Sequence, residues 1–329
     1  MYASVSWLPN IGNTCFLNAT LQALYSLPSF CADIMGQEAL WSPKTKTSLK
    51  LQRYFGELYK ARQGRSSYHG KRRLLRSVKS SLAVFNEEYE DDFQQDAHEF
   101  LMLFLMGMKM QGETQQGTST TPGYACPTLN FEFKLQSVCT CSRHQNWSVP
   151  AGSALATRRQ CPEVSSLYPV LHMKRFCHDG EELRRVDDAV CIPPVLSLAS
   201  LLEEQQDVLS SPGGSKVSRQ AKPLPSTASV GQLESSGDRD RSQQGAPVRD
   251  HSVQSSYHLS AIVSHLGESI VCGHYVSDIA EGHGREWVTL DDSRVTRTGE
   301  AAVLKDREDI AYLLFYVLSG AGEGDPAPL

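Results

Sequence analysis

A long polar stretch in the second half of the chain limits most strongly how the chain can fold. Residues 205–256 are rich in Ser, Gln, Gly, Pro and charged residues, and they hold only scattered Val and Leu. Such a segment cannot bury enough apolar surface to offset the entropy lost on ordering, so we predict that it is disordered. Because strand patterns resume after it and need partners, we interpret it as an insertion into one domain rather than a linker between two.

Helical patterns fill the first third of the chain, from residue 1 to about 110. In residues 47–61, Leu51, Phe55 and Leu58 fall on one helical face. A longer stripe follows, with apolar residues three and four positions apart, as one face of a helix requires. Its members are Ala97, Phe100, Leu101, Phe104, Leu105 and Met108.

Strand patterns follow over residues of about 124–198 and 257–318. The segment "LNFEFKLQSV" (129–138) alternates apolar and polar residues, which is typical of a half-buried strand. Helices in the first block and strands in the later blocks predict an α+β fold class. We predict a single interrupted domain over residues 1–318 and a disordered tail over residues 319–329.

The composition excludes several classes of protein. The chain has 329 residues, of which 40% are hydrophobic and 21% charged, with a net charge of −5, so nothing points to a nucleic-acid partner. No apolar run approaches the roughly 20 residues that span a bilayer, and the N-terminus lacks a signal-peptide pattern. Nine cysteines at irregular spacings indicate reduced thiols. We therefore predict a cytoplasmic and/or nuclear protein without a membrane partner.

The segment "IGNTCFLNATLQAL" (11–24) places a cysteine at the start of a predicted helix. With Asn13 or Thr14 as the N-cap, Cys15 falls in the first turn, where free N–H groups and the helix dipole stabilise a thiolate. Asn10 precedes it on the loop and could donate a hydrogen bond to a developing oxyanion. Cys15 is thus either a nucleophile or a small buried packing residue.

The segment "GHYVSDIAEGHGREWVTLDDS" (273–293) predicts a hairpin that supplies a histidine and a carboxylate. A turn centred between Gly282 and His283 puts His274 directly opposite Asp291 on one face. Asp292 then points to the other face, although a slip of one residue would exchange the two acids, so Asp292 remains a secondary candidate. The alternative is an ordinary cross-strand His–Asp pair on the surface.

Four segments together resemble the ubiquitin-specific proteases, the ubiquitin carboxyl-terminal hydrolases. "LPNIGNTCFLNATLQALYSL" resembles their Cys box, and "YHLSAIVSHLGESIVCGHYVSDIAEGHGREWVTLDDSRV" resembles their His box. "FQQDAHEFLMLFL" and "YPVLHMKRF" resemble two blocks between them. The segments "YACPTLNFEFKLQSVCTC" and "CGHYVSD" are most similar to the subgroup of ubiquitin carboxyl-terminal hydrolases 26, 29 and 37.

The resemblance implies a papain-like cysteine protease fold with thumb, palm and fingers, and a deubiquitinating activity. Such an enzyme hydrolyses isopeptide or peptide bonds after the C-terminal glycine of ubiquitin. Matched residue by residue, Cys15 is the nucleophile, His274 the general base and Asp291 the residue that orients it. Asn10 matches the oxyanion donor. The implied partners are ubiquitin and ubiquitinated proteins.

The resemblance also implies contacts to the ubiquitin tail. Asp96 and Glu99 match acidic residues that hold the basic part of the tail. As first-turn acids they would also complement a helix dipole, and the two roles are compatible. Gly273 and Tyr275 match the narrow channel for the tail's glycines.

The chain departs from the family pattern at the fingers, where many relatives bind one zinc through two Cys-x-x-Cys knuckles. Here the first knuckle, Cys139 to Cys141, is one residue short, and no second pair follows. His144 and Cys161 would complete four ligands only with poor spacing, so we predict no cofactor and unligated thiols. Shortened fingers predict weaker ubiquitin binding. Two alternatives therefore stay open: a ubiquitin-binding pseudoenzyme, and a protease for another ubiquitin-like modifier.

Overall fold

Six α-helices come first along the described chain and the strands follow, with one short helix before the last strand, in agreement with the predicted α+β fold class. The computed structural model describes residues 7–41, 49–63, 66–118, 124–132, 135–141, 156–162, 166–179, 182–197, 256–269, 272–282 and 286–320. All of them belong to one compact unit formed by residues 1–197 and 255–329. The predicted insertion up to residue 255 and the tail from residue 321 lie outside the described residues.

The helices bury the stripes that their sequences predict. They are α1 Cys15–Tyr25, α2 Pro28–Gly36, α3 Glu38–Trp41, α4 Lys50–Gln63, α5 Tyr68–Ala83, α6 Ala97–Thr118 and α7 Glu300–Asp306. On α4, Leu51, Phe55 and Leu58 are fully buried. The α6 stripe is buried from Ala97 to Met108 except at Leu105, which is partly exposed. None of the described helices is long and apolar enough to cross a bilayer.

An antiparallel sheet carries most of the strands. The strands are β1 Leu135–Cys141, β2 Ala156–Pro162, β3 Val170–His172, β4 Phe176–Asp179, β5 Glu182–Arg185, β6 Val195–Ser197, β7 Ser256–Ser269, β8 Cys272–Glu281, β9 Glu286–Asp291, β10 Arg294–Gly299 and β11 Ala311–Leu318. The main sheet has the order β10-β9-β8-β7-β11-β3, and β1-β2 and β4-β5 form two separate ribbons.

Strand β7 organises the main sheet because both of its edges are paired. One edge pairs with β11 along most of its length. The other edge pairs with β6 at its start and with β8 from Ala261 onward. Ser197, the last residue of β6, lies directly opposite Ser256, the first residue of β7. The described strands thus end at Ser197 and resume at Ser256, on either side of the predicted insertion.

The alternating segment after Tyr124 is only partly a strand. Residues Pro127–Phe131 form a 3₁₀ helix, and β1 begins at Leu135. Proline at the first position fixes a helical φ, and the N–H of Glu132 donates to the carbonyl of Leu129. The prediction of a strand from residue 129 is wrong there, because Pro127 starts a tight turn that overrides the alternation.

Helix α1 lies at the centre of the molecule. Every one of its residues is buried, including the polar Asn18, Thr20 and Gln22. It packs against β7, β8 and β9 of the sheet and against α2 and α6 of the helical part. A helix covered on all sides is held firmly, so its first residue, Cys15, has a fixed position relative to β8.

Candidate active site

The loop before α1 makes a sharp turn that presents Cys15 at the first helical position. Gly12 and Asn13 have φ angles of 123° and 48°, both in the left-handed region. The side-chain oxygen of Asn10 accepts hydrogen bonds from the backbone N–H groups of Gly12 (3.1 Å) and Thr14 (3.2 Å). Thr14 occupies the N-cap position, but its hydroxyl accepts from the N–H of Ile11 rather than from α1.

Cys15, His274 and Asp291 lie together where α1 meets the end of the β8–β9 hairpin. The imidazole Nε2 of His274 lies 2.6 Å from a carboxylate oxygen of Asp291. The pKa of His274 is raised to about 9, chiefly by its hydrogen bond with Cys15. Partial burial opposes this effect, and the bond to Asp291 reinforces it. Since Asp291 occupies Nε2, Nδ1 is the nitrogen left for Cys15. Cys15 itself is 3% exposed.

The hairpin register differs from the predicted one by two residues. Asp278 pairs with Thr289, and Glu281 pairs with Glu286, so the turn is centred one position later than predicted. A shift of two leaves every side chain on its predicted face. His274 and Asp291 are therefore diagonal neighbours instead of direct partners, and the 2.6 Å contact forms across this diagonal.

Asp292 does not point away from the site, so the prediction that it lies on the opposite face is wrong. Strand β9 ends at Asp291, and Asp292 has a left-handed φ of 48° in the turn to β10, where strand alternation no longer applies. Its two carboxylate oxygens accept hydrogen bonds from the side-chain amides of Asn10 and Asn18, each at 2.9 Å. Asp292 thereby fixes the amide nitrogen of Asn10.

Asp96 is a buried N-cap rather than an exposed acid. One carboxylate oxygen accepts from the backbone N–H groups of His98 (2.8 Å) and Glu99 (2.9 Å) at the start of α6. The other accepts from the hydroxyls of Tyr312 (2.5 Å) and Tyr275 (3.3 Å). Both oxygens are engaged and the residue is 8% exposed. Asp96 thus complements the start of α6, which is one of the two compatible roles predicted for it.

The other three residues predicted to contact the ubiquitin tail differ in their solvent exposure and in the space around them. Glu99 is exposed, and partial burial together with Asp96 and Glu88 raises its pKa. Tyr275 is 1% exposed, and its hydroxyl donates to Asp96. Gly273 sits so close to β7 that an added Cβ would come within 2.7 Å of the Leu266 carbonyl oxygen, which only glycine avoids.

Sequence reasoning missed Gln94 and Asn18. The side-chain amide of Gln94 contacts the backbone of Gly273 and the sulfur of Cys15. Asn18 is 3% exposed on α1 and bonds Asp292 and the Pro9 carbonyl. A buried Asn within an apolar helix was a usable signal, because such a group needs partners. Gln94 gave no such signal beyond its place in the "FQQDAHEF" segment.

Three of the four possible finger ligands lie on the β1–β2 ribbon at positions that only its backbone register defines, so the absence of zinc stays a prediction. The backbone register places Cys161 opposite Gln136, and Cys139 opposite Arg158. His144 lies outside the described residues. Within the described residues, possible metal-ligand atoms lie within 4.8 Å of one another in His274, Asp291 and Asp292. These three residues are already bonded to one another or to Asn10 and Asn18.

The family model described as "Ubiquitin carboxyl-terminal hydrolase" matches residues 8–316. Among curated proteins, mouse ubiquitin carboxyl-terminal hydrolase 29 is 32% identical over 146 residues, which are 40% of this chain and 16% of that protein. Chicken ubiquitin carboxyl-terminal hydrolase 37 is 32% identical over 177 residues, 47% of this chain and 17% of that protein. The match thus spans less than a fifth of the length of these relatives.

Solved structures show the same fold. A chain of the SAGA Ubp8/Sgf11/Sus1/Sgf73 DUB module bound to ubiquitin aldehyde matches with a TM-score of 0.68 and 19% identity, over 96% of this chain and 70% of that one. A variant of that module bound to monoubiquitin matches with a TM-score of 0.67 and 18% identity, over 96% of this chain and 69% of that one. At this identity the likeness establishes the fold alone.

Proposed function

Because the chain belongs to the ubiquitin carboxyl-terminal hydrolase family, we propose that it is a deubiquitinating cysteine protease. It hydrolyses isopeptide or peptide bonds after the C-terminal glycine of ubiquitin, and its partners are ubiquitin and ubiquitinated proteins. This proposal rests on two contacts that connect Cys15, His274 and Asp291. Cys15 is hydrogen-bonded to the imidazole of His274, and the imidazole is bonded to the Asp291 carboxylate at 2.6 Å.

His274 and Cys15 are hydrogen-bonded, and this contact is the chief cause that raises the pKa of His274 to about 9. At neutral pH the imidazole holds a proton readily, so Cys15 transfers its proton to His274 and the two form an ion pair. The thiolate attacks the carbonyl carbon of the terminal glycine. The imidazolium then gives its proton to the leaving lysine amine, which departs and leaves a thioester on Cys15. Water, deprotonated by His274, hydrolyses the thioester and restores the thiol. No step needs a metal.

The oxyanion of each tetrahedral intermediate needs donors beside Cys15. The Asn10 amide nitrogen carries two hydrogens, and one of them is used by Asp292. The other is free to point to the oxyanion, together with backbone N–H groups at the start of α1. Asp292 and the two N–H groups that bond the Asn10 oxygen fix this amide, so it needs little reorganisation during the reaction.

For the ubiquitin tail, we assign direct contact to Glu99, which is exposed, and an indirect role to Asp96. Glu99 offers a carboxylate to a basic side chain at the start of α6. Asp96 holds Tyr275 and Tyr312 by their hydroxyls and so supports the floor of the channel. Gly273 forms part of the channel wall, and because it has no side chain, this wall suits a di-glycine tail.

A cytoplasmic or nuclear location is part of this proposal. It is supported by free thiols, which are typical of proteins in these reducing compartments. Among the described residues, the free thiols are Cys15, Cys31, Cys126, Cys191 and Cys272.

Hydrolysis of a ubiquitin C-terminal fluorogenic substrate tests the nucleophile. Cys15→Ser should abolish turnover and retain ubiquitin binding, because a hydroxyl has no accessible anion near neutral pH. Cys31→Ser is the matched control: Cys31 is buried, and burial raises its pKa to about 12, so its loss should leave the chemical step unchanged. Unchanged turnover in Cys15→Ser would refute the proposal. Binding without turnover in the wild type would favour the pseudoenzyme.

A further inference from the structure

Gln94 makes two hydrogen bonds to the backbone of Gly273, the residue before His274. Its amide nitrogen donates to the Gly273 carbonyl at 2.9 Å, and the Gly273 N–H donates to its amide oxygen at 3.0 Å. This reciprocal pair has the same donor and acceptor pattern as a hydrogen-bonded pair of an antiparallel ladder. The side chain of Gln94 therefore takes the place of a paired strand residue opposite Gly273.

The sheet itself leaves Gly273 without a paired residue. The β7–β8 register is regular down to Leu266 opposite His274, and then shifts so that Ser269 lies opposite Cys272. Gly267, within this irregularity, has a φ of 143°. Without another partner, the N–H and carbonyl of Gly273 would lack ladder bonds, and the start of β8 would be free to shift. Gln94 supplies both bonds.

The same amide nitrogen lies 3.7 Å from the sulfur of Cys15. An amide nitrogen has two hydrogens, so one serves the Gly273 carbonyl and the other serves the sulfur. Gln94 precedes α6, whereas Cys15 begins α1 and His274 lies on β8. One side chain thus joins the elements that carry the nucleophile and the base, and it comes from a third element.

We propose that Gln94 is a positioning residue for the reaction: it fixes the backbone of Gly273, and with it the ring of His274, and it donates a hydrogen bond to the Cys15 thiolate. This inference rests on the proposed function in taking Cys15 as the nucleophile. It requires an amide, because only an amide both donates and accepts with this geometry. A carboxylate at the same place accepts from Gly273 but repels its carbonyl and the thiolate.

Gln95 provides a matched control next to it in the sequence. Among the described residues, its side chain donates to the Glu88 carbonyl at 3.3 Å and makes no hydrogen bond to Gly273 or Cys15. The variants to compare are Gln94→Glu, which keeps the shape, Gln94→Met, which keeps the length without polarity, and Gln95→Glu. The melting temperature of each variant first establishes that it folds.

The readout is the pH dependence of Cys15 alkylation by iodoacetamide, followed on the Cys15 peptide by mass spectrometry. It needs no ubiquitin and therefore tests Gln94 separately from deubiquitination. The titratable groups that interact with Cys15, His274 and Tyr275 on β8, are unchanged in all three variants, as are the acids beside them, Asp291, Asp292 and Asp96.

We expect the alkylation midpoint to be higher in the Gln94 variants than in the wild type. The rise should be about half a unit for Gln94→Met and about one unit or more for Gln94→Glu, because the carboxylate adds like-charge repulsion. Gln95→Glu should move the midpoint much less. Equal midpoints in folded Gln94→Glu and wild type, or an equal rise in Gln95→Glu, would overturn the proposal.

Discussion

Two adjacent aspartates contact different catalytic groups. Asp291 bonds the imidazole of His274, whereas Asp292 bonds the amides of Asn10 and Asn18. The division follows from the end of β9: one acid is the last strand residue and the other is the first turn residue. Asp291 therefore influences the charge of the base, and Asp292 influences the position of an oxyanion donor.

Exchanging each aspartate for asparagine separates these roles. The imidazolium of His274 is present below its pKa of about 9 and is lost as the pH rises through that value, so the rate should fall at the alkaline end near pH 9. Asp291→Asn removes a charge that raises this pKa, so the alkaline limb should move to lower pH. Asp292→Asn should leave the limb in place and lower the plateau by between about 10-fold and 10²-fold, through the oxyanion donor.

The measurement is the single-turnover rate with a ubiquitin C-terminal substrate between pH 6 and 10. A larger displacement of the limb in Asp292→Asn than in Asp291→Asn would contradict the assignment of the two acids.

At the scale of the element, local patterns predicted some features and missed others for identifiable reasons. The buried faces of α4 and α6 were predictable because helical periodicity is local. The shared face of His274 and Asp291 was predictable because alternation survives a shift of two residues. The register itself depended on the turn, and the direction of Asp292 depended on where β9 ends. The contact of Gln94 with Gly273 joins residues 179 positions apart, and no local pattern encodes it.

The β8–β9 hairpin also depends on a buried ion pair behind the active site. Asp278 is fully buried and bonds Arg307 at 2.7 Å and the hydroxyl of Thr289 at 2.5 Å. Asp278→Ala should lower the free energy of unfolding by roughly 3 kcal/mol, because it leaves the partly buried Arg307 without its partner. Urea unfolding measures this loss.

The control for Asp278 is Glu57→Gln, which breaks the partly exposed pair with Arg53 on α4. Such a surface pair contributes about 0.3–0.5 kcal/mol, so its loss should be small. Similar losses in the two variants would show that the Asp278 pair does not hold the hairpin.

At the scale of the whole molecule, the predicted recognition and the α+β fold class are confirmed by the family model and by the matching solved structures. The subgroup prediction agrees with relatives 29 and 37. Three of the four sequence blocks hold the residues of the site, namely those that contain Cys15, Asp96 and His274. Domain boundaries and the finger zinc site stay predictions, since they depend on segments outside the described residues.

The strand residues on either side of the predicted insertion are neighbours in the main sheet. Ser197 and Ser256 are opposed residues of β6 and β7, so residues 198–255 begin and end at neighbouring strand ends. Replacing them with a two-residue Asn-Gly hairpin turn should preserve the fold and raise the melting temperature, because loop closure becomes less costly by about 0.6 kcal/mol for each halving of length, about 3 kcal/mol in all. Thermal unfolding of the shortened chain tests this. A loss of many degrees would mean that the segment contributes to the core.

The central claim is that Cys15 is a nucleophile for the C-terminus of ubiquitin, and an electrophilic ubiquitin C-terminal probe tests it most directly. We predict that the probe adds covalently to the wild-type chain, that peptide mapping locates the adduct on Cys15, and that Cys31 stays unmodified because burial raises its pKa to about 12. Cys15→Ser should abolish the adduct. Reversible binding of ubiquitin without an adduct, or capture only by the probe of another ubiquitin-like modifier, would contradict the claim.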